Sequence, residues 1–410
     1  MVELLSPAGN MEKMKTALLY GADAVYLAGK VFGMRSAADN FTVAELYEAV
    51  KYAHERGRKV YLTVNTLPRW NEYDALRAYL HDIKGAGLDA YIVADPGVLM
   101  VIREVMPDAE IHMSTQAGVV SHESCLFWYK MGVKRAVLAR ELSFEDIKNI
   151  RSRIPSDMEL ECFIHGSMCV SFSGRCLLSE NLIGRDANRG MCAQPCRWDY
   201  KLFEISELKR PEMRFPVYEE KNGTFIMASK DMCMIEHIPE LVESGITSFK
   251  IEGRMKSAYY AAVTTNAYRI AIDSYLKDKE GYKYDPSLLT ELESVSHREY
   301  CTGYFFDNPI EKANLATTNG YIREKSYLAI AEGYDEETGR ATFIQRNKAF
   351  SGEVGQLISP GKTGVDMLLD DMRDENGNEI ESCPHPFMRF TVKTDIKVKK
   401  GDILRSAENK

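Results

Sequence analysis

Four cysteines, Cys169, Cys176, Cys192 and Cys196, fall in the spacing C-x6-C-x15-C-x3-C. Thiolates are soft, strongly donating ligands, and four of them in one segment suit zinc or an iron–sulfur cluster. Gly166, Gly174, Gly184 and Gly190 punctuate the segment, so the backbone can turn tightly and aim N–H groups at bound sulfur. Structural zinc favours tight C-x2–4-C pairs, and only Cys192 and Cys196 are so spaced. The looser spacing favours an iron–sulfur cluster. Zinc is the rival, and four buried free thiols are the bland alternative. Gly, Ser and Arg between the thiols are not a core composition. The other cysteines read differently. Cys125, Cys162 and Cys301 sit in helical or strand contexts as packing residues, and Cys383 lies far along the chain. Cys233, at the expected start of a helix, is a spare ligand candidate.

A second group of polar residues stands at the ends of apolar runs: Asn65, Asp95, Gln116, Arg140, Glu141, His165, Lys250, Glu252 and Arg254. Guanidinium and ammonium groups suit a dicarboxylate or a phosphate, which makes Arg35, Arg140, Arg197, Lys250 and Arg254 the candidate substrate-binding set. His165, four residues before the first thiol, is the candidate general acid or base. Its alternative role is a hydrogen-bonded group that orients the cysteine segment. Glu141 and Glu252 are the candidate catalytic carboxylates. Ion pairing of Arg140 with Glu141 and of Lys250 with Glu252, as simple braces, is the rival reading. His112, inside a strand, reads as structural.

Elements that would carry these residues recur along the chain. Eight apolar runs read as strands: Val2–Ser6, Ala24–Ala28, Val60–Asn65, Ala90–Asp95, Ile111–Gln116, Arg135–Arg140, Glu159–His165 and Phe249–Arg254. Continuous apolar strands imply burial on both faces, as in a parallel sheet. Amphipathic stretches follow most of them, from Met11–Tyr20 onward, and Cys233–Glu243 reads as the helix before the last strand. Thr42-x-x-Glu45 and Ser143-x-x-Asp146 are capping signals. The rhythm predicts an α/β fold, a (β/α)8 TIM-type barrel over residues 1–320, with a long cysteine-bearing insertion after strand seven. An open doubly wound sheet is the alternative, but no glycine-rich dinucleotide loop follows the first strand. Short strands with Gly, Asp and Asn turns predict a small β-barrel domain over 325–410.

The chain has 410 residues, a net charge of −8, and 45% hydrophobic and 27% charged residues. That charge excludes coating nucleic acid by bulk attraction, so any RNA contact needs a local basic patch. Lys397, Lys399 and Lys400 in the tail are one such patch, or simply a solvated face. No signal peptide or membrane-spanning run stands out, and clustered cysteines without one suggest a reducing compartment. The expected location is cytoplasmic, away from membranes. Both homo- and hetero-oligomers stay open.

The segment Glu161-Cys-Phe-Ile-His-Gly-Ser-Met-Cys169 through Arg175-Cys176-Leu-Leu-Ser179, followed by Arg189-Gly-Met-Cys-Ala-Gln-Pro-Cys196-Arg197, resembles the signature of the collagenase-like peptidase family. Glu3-Leu-Leu-Ser-Pro-Ala-Gly-Asn10, Gly21-Ala-Asp-Ala-Val-Tyr26 and Lys250-Ile-Glu-Gly-Arg-Met-Lys256 match its pattern too. The resemblance spans about residues 2–305 and the tail. Despite the name, it implies an oxygen-independent, iron–sulfur hydroxylase with the four thiols on a 4Fe–4S cluster. The Cys196-Arg-Trp-Asp-Tyr200 continuation and the β tail look most like the branch acting on tRNA. That implies 5-hydroxyuridine at the wobble position, with prephenate as hydroxyl donor. A peptidase and a non-catalytic RNA-binding protein are the alternatives. No His-Glu-x-x-His or Gly-x-Ser-x-Gly motif supports the former.

Overall fold

The computed structural model describes residues 2–36, 38–169, 171–172, 175–197, 205–207, 210–215, 219–220, 223–224, 229–306, 322 and 325–407. Eight strands carry its first half: β1 Glu3–Pro7, β2 Ala24–Ala28, β3 Lys59–Val64, β4 Ala90–Val93, β5 Ile111–Met113, β6 Arg135–Val137, β7 Glu159–Ser167 and β8 Ser248–Ile251. Each pairs in parallel with the next, and β8 pairs with both β7 and β1, so the sheet closes into the expected barrel. All residues of β2, β4 and β8 are buried, the result of apolar runs covered on both faces.

The crossover helices are α1 Met11–Leu19, α2 Val43–His54, α3 Tyr73–Ile83, α4 Pro96–Val105, α5 His122–Lys130 and α6 Phe144–Arg151. Both expected capping boxes form, at Thr42–Glu45 and Ser143–Asp146. Each cap of this kind stabilises a helix start by about 1 kcal/mol. In α2, Leu46, Ala49, Val50 and Ala53 form the buried stripe, a helical period read off the chain.

Between β7 and β8 lie α7 Leu178–Ile183 in the thiol segment and α8 Ile238–Glu243. The expected helix beginning at Cys233 is corrected here. Asp231–Cys233 is a short strand that pairs antiparallel with β7, Cys233 opposite His165, and the helix starts only at Ile238.

The barrel interior is ionic at its N-terminal end. Arg135 reaches Glu3 at 2.6 Å, Glu159 at 2.6 Å and Glu161 at 3.1 Å; Lys250 meets Glu161 at 2.6 Å. Glu3, Arg135 and Glu159 are the first residues of their strands, so they form one layer. Ser248 and Tyr61 also donate to Glu3. Burial opposes these charges, but the guanidinium of Arg135 and the ammonium of Lys250 more than offset it, and the Glu161 carboxyl is held below its ordinary range.

The described residues divide into two compact units, and the second comprises 15–22, 257–296 and 323–410. It contains α9 Ala258–Lys277, α10 Ser287–Glu293 and seven strands: β9 Tyr327–Asp335, β10 Arg340–Gln345, β11 Val354–Ile358, β12 Val365–Leu368, β13 Asp370–Arg373, β14 Arg389–Lys393 and β15 Ile403–Ser406. They form an antiparallel sheet in the order β12-β11-β15-β9-β10-β14-β13. Its two edge strands are separated by Leu369 alone, so the sheet must curl until its edges are neighbours. The result is a half-barrel around Leu328, Phe343, Met372, Cys383, Phe390 and Leu404. Among the described residues, no helix is long and apolar enough to cross a membrane.

Candidate active site at the barrel mouth

A cavity of about 120 Å³ opens at the C-terminal end of the barrel. Tyr26, Thr63, Asn65, Ile92, Ser114, Gln116, Arg140, Phe163, Lys250, Glu252 and Arg254 come to it from the strands and the loops directly after them. Met34 and Arg35 come from the loop after β2, and Cys169, Cys176, Ala187 and Cys192 from the thiol segment. Residues more than 200 positions apart thus share one wall, because closure of the barrel puts every strand end on the same rim.

Glu252 is the electrostatic centre. It accepts from the Tyr26 hydroxyl at 3.1 Å and pairs with Arg35 at 3.5 Å. Burial would raise its pKa, but Arg35, Arg140 and Arg254 outweigh that and hold the carboxyl below its ordinary range. Two glycines bring the Glu252–Arg254 backbone this close. A Cβ on Gly166, at φ +104°, would lie 2.4 Å from the Glu252 carbonyl oxygen. A Cβ on Gly9 would lie 2.1 Å from that of Arg254.

Arg254 is 3% exposed. One terminal nitrogen donates to the Met34 carbonyl, and the other, Nη1, is buried without a partner. Burial lowers its pKa to about 10, so the site holds a cation at a cost and leaves one of its donors unused. Gln116 Oε1 and Thr63 Oγ1 are buried acceptors without partners on the same cavity wall. Buried polar atoms in native structures are satisfied far more often than not, so three orphans on one cavity point to a polar ligand.

Arg140 stacks on the Phe163 ring at 4.0 Å. Lys250 pairs with Glu161 and lies 4.5 Å from the centre of the Tyr26 ring. The rival reading of Lys250 and Glu252 as a simple brace is therefore corrected, since the ammonium takes Glu161 instead. The loop that carries Arg35 is strained: Phe32, Arg35 and Asn40 have φ of +57°, +67° and +51°. Non-glycine residues held in this region cost about 1–3 kcal/mol each and persist only where the surrounding contacts fix them. Asn65 accepts from the Met34 N–H at 3.1 Å, and Ser36 donates to the Gly190 carbonyl, tying the loop to β3 and to the thiol segment.

Other expected site residues fall elsewhere. His165 is 1% exposed, is absent from the cavity wall, and lies 5.5 Å from the Tyr300 ring. Burial lowers its pKa to about 3, so it stays neutral. The register of β7 against β8 slips between Lys250 and Ile251, which pair with Phe163 and His165. The extra residue, Ile164, breaks the alternation that would have kept His165 on the face of Glu161 and Phe163. Glu141 is also off the wall, and its charge adds to the burial that raises the pKa of Tyr304. Asp95 caps α4 through the Val98 N–H and accepts from Tyr73. His112 is wholly buried in β5, as expected of a structural residue. Arg197 has a side chain outside the described residues. Sequence reasoning missed Tyr26, Thr63 and Ser114. Thr63 and Ser114 lie at or just past strand ends, and Tyr26 in the middle of β2 closes the Gly21–Tyr26 stretch that matches the family pattern.

Cys169, Cys176, Cys192 and Cys196 are all half-buried, and the first three share the cavity with Arg35. The Leu178 and Gln194 N–H groups donate to Cys176 Sγ and Cys192 Sγ, each at 3.3 Å. Such donors suit thiolates that carry ligand charge. Among the described residues, no group of three or more His, Cys, Asp or Glu side chains is close enough for a single metal ion. Four thiols, two of them accepting backbone N–H groups, are a donor set of the kind that thiolate-bound metal groups use. Cys125, Cys162, Cys233 and Cys383 are buried. Burial pushes the Cys125 thiol up to about 11, which suits inert packing.

The model for "Peptidase family U32" matches residues 9–314, and that for the family's C-terminal domain matches residues 323–405. The chain is 37% identical over 406 residues to "tRNA hydroxylation protein P1" of Bacillus subtilis, covering 99% of this chain and 95% of that protein. It is 35% identical over 422 residues to "tRNA hydroxylation protein P" of Escherichia coli, covering 93% and 91%. A 23S rRNA 5-hydroxycytidine synthase of Escherichia coli is 36% identical over 278 residues, covering 68% of this chain and 40% of that protein.

Proposed function

Because the chain belongs to peptidase family U32 along both of its parts, and its near full-length relatives are named for tRNA hydroxylation, we propose that it is a tRNA hydroxylase. Its product is 5-hydroxyuridine at the wobble position, formed without molecular oxygen, with prephenate as hydroxyl donor. The observation that carries this reading is the cavity wall itself. Three thiols, a buried Arg254 with an unused donor and a cation-held carboxylate face one space.

A dianionic donor meets Arg254 Nη1, Arg35 and Arg140, where guanidinium groups bind carboxylates best. Converting C5–H to C5–OH oxidises the base by two electrons. The donor is reduced by the same two, leaving with a hydrogen where it carried its hydroxyl. The C5–O bond forms as the donor's C–O bond breaks, and that bond's electron pair stays on the donor carbon. Glu252, kept ionised by its three arginines, takes the C5 proton and passes it to that carbon. Tyr26 orients Glu252. A 4Fe–4S cluster would be held by Cys169, Cys176, Cys192 and Cys196, and would supply Lewis-acid or electron-transfer chemistry.

The family's name suggests peptide hydrolysis, but among the described residues no histidine lines the cavity to activate a serine or thiol. The deciding experiment is nucleoside mass spectrometry of tRNA from cells lacking the protein. Loss of 5-hydroxyuridine, restored by the gene, supports the reading. Unchanged 5-hydroxyuridine overturns it.

A further inference from the structure

Trp70 is 89% exposed, an unusual position for the largest apolar side chain. It lies in the loop after β3, five residues beyond Asn65, which lines the cavity. Glu72 ties this loop to the thiol segment through a two-pronged ion pair with Arg189, one prong at 2.7 Å. Arg189 ends the short turn that begins at Ala187, itself on the cavity wall. Trp70 therefore sits on a loop held near the mouth on both sides of it, by Asn65 and by Glu72. Two strands further round the rim, Phe172 is 52% exposed and packs toward Gly118 in the loop after β5, while Arg175 donates to the Gln116 carbonyl at 2.8 Å. Arg69, Arg175 and Arg185 are exposed on the same loops.

We propose that Trp70 is a stacking platform for a nucleotide next to the one being modified, with Arg69 meeting the adjoining phosphate. The inference rests on the tRNA reading above and deepens it. If one base enters the cavity toward Gln116 Oε1 and Thr63 Oγ1, its chain neighbours must lie on the rim. There an exposed aromatic face beside a guanidinium is the surface that single-stranded RNA uses without reading sequence. Glu72, the acid nearest in sequence, is neutralised by Arg189 and does not repel the backbone.

The test uses the full chain, purified anaerobically with its metal, and an anticodon stem–loop RNA. Trp70→Ala should raise KM by about five- to a hundredfold and leave kcat and iron content unchanged, and Trp70→Phe should restore most of the loss. A KM equal to wild type in Trp70→Ala overturns the platform. Lower modification in cells with an unchanged KM in vitro also overturns it, because the rim would then serve a protein partner. Failure of the functional reading shows separately, since the wild-type protein itself would then neither bind nor modify the RNA.

Discussion

Replacing Arg254 with Ala tests the anion clamp most directly. The side chain is buried, donates once to the Met34 carbonyl and keeps Nη1 free on the cavity wall. Truncating one partner of a buried, hydrogen-bonded charge pair costs about 2–5 kcal/mol. At about 1.4 kcal/mol per decade, activity at limiting donor should fall roughly thirty- to several thousandfold. Stability should change far less. Burial already depresses the Arg254 pKa to about 10, so the folded protein holds this charge unfavourably. The variant loses one hydrogen bond but also sheds a desolvation penalty, and Arg35 and Arg140 still face Glu252. A shift in Tm of about 2–4 °C or less is expected. The assay is the 5-hydroxyuridine content of tRNA from a deletion strain carrying either form of the gene, with Tm and iron content measured on the purified proteins. Wild-type hydroxyuridine in the variant strain would refute the clamp. A collapsed Tm would refute the claim that Arg254 serves binding rather than folding.

Protein prepared without oxygen should contain iron and acid-labile sulfide, and Cys192→Ser should remove both; zinc alone would sink the cluster assignment. Glu161→Ala strands Lys250 inside the barrel and takes one of three carboxylates from Arg135, so urea unfolding should show a loss of about 3–5 kcal/mol, and a change under 1 kcal/mol would mean that water or rearrangement satisfies the ammonium. Burial lowers the pKa of His165 to about 3 from an ordinary 6.5. Between those values the unfolded chain binds a proton that the folded one does not, so stability should fall as pH drops through this window. His165→Gln should flatten that slope by about one proton, and an unaltered slope would place the titration elsewhere.

The barrel was legible because its signals are local. Apolar runs, the Thr42 and Ser143 caps and the four thiols each need only a short window of sequence, and the structure realises both caps. The arginines and Glu252 at strand ends were legible for the same reason, since a closed parallel barrel exposes every strand's C-terminal end on one rim. Which atoms meet there was decided by tertiary structure. Lys250 chose Glu161 over Glu252, and Arg254 found a carbonyl 220 residues away, because registers across the closure of the barrel set those distances. Cys233 had helical surroundings but was recruited as a strand by the open edge of β7. His165 shows the limit most sharply. Its residue type and its place before Cys169 marked it for catalysis, yet one extra residue in β7 changed the face it occupies and left it neutral off the cavity wall. A bulge is a negotiation between two strands 80 residues apart, and neither strand alone carries its signal.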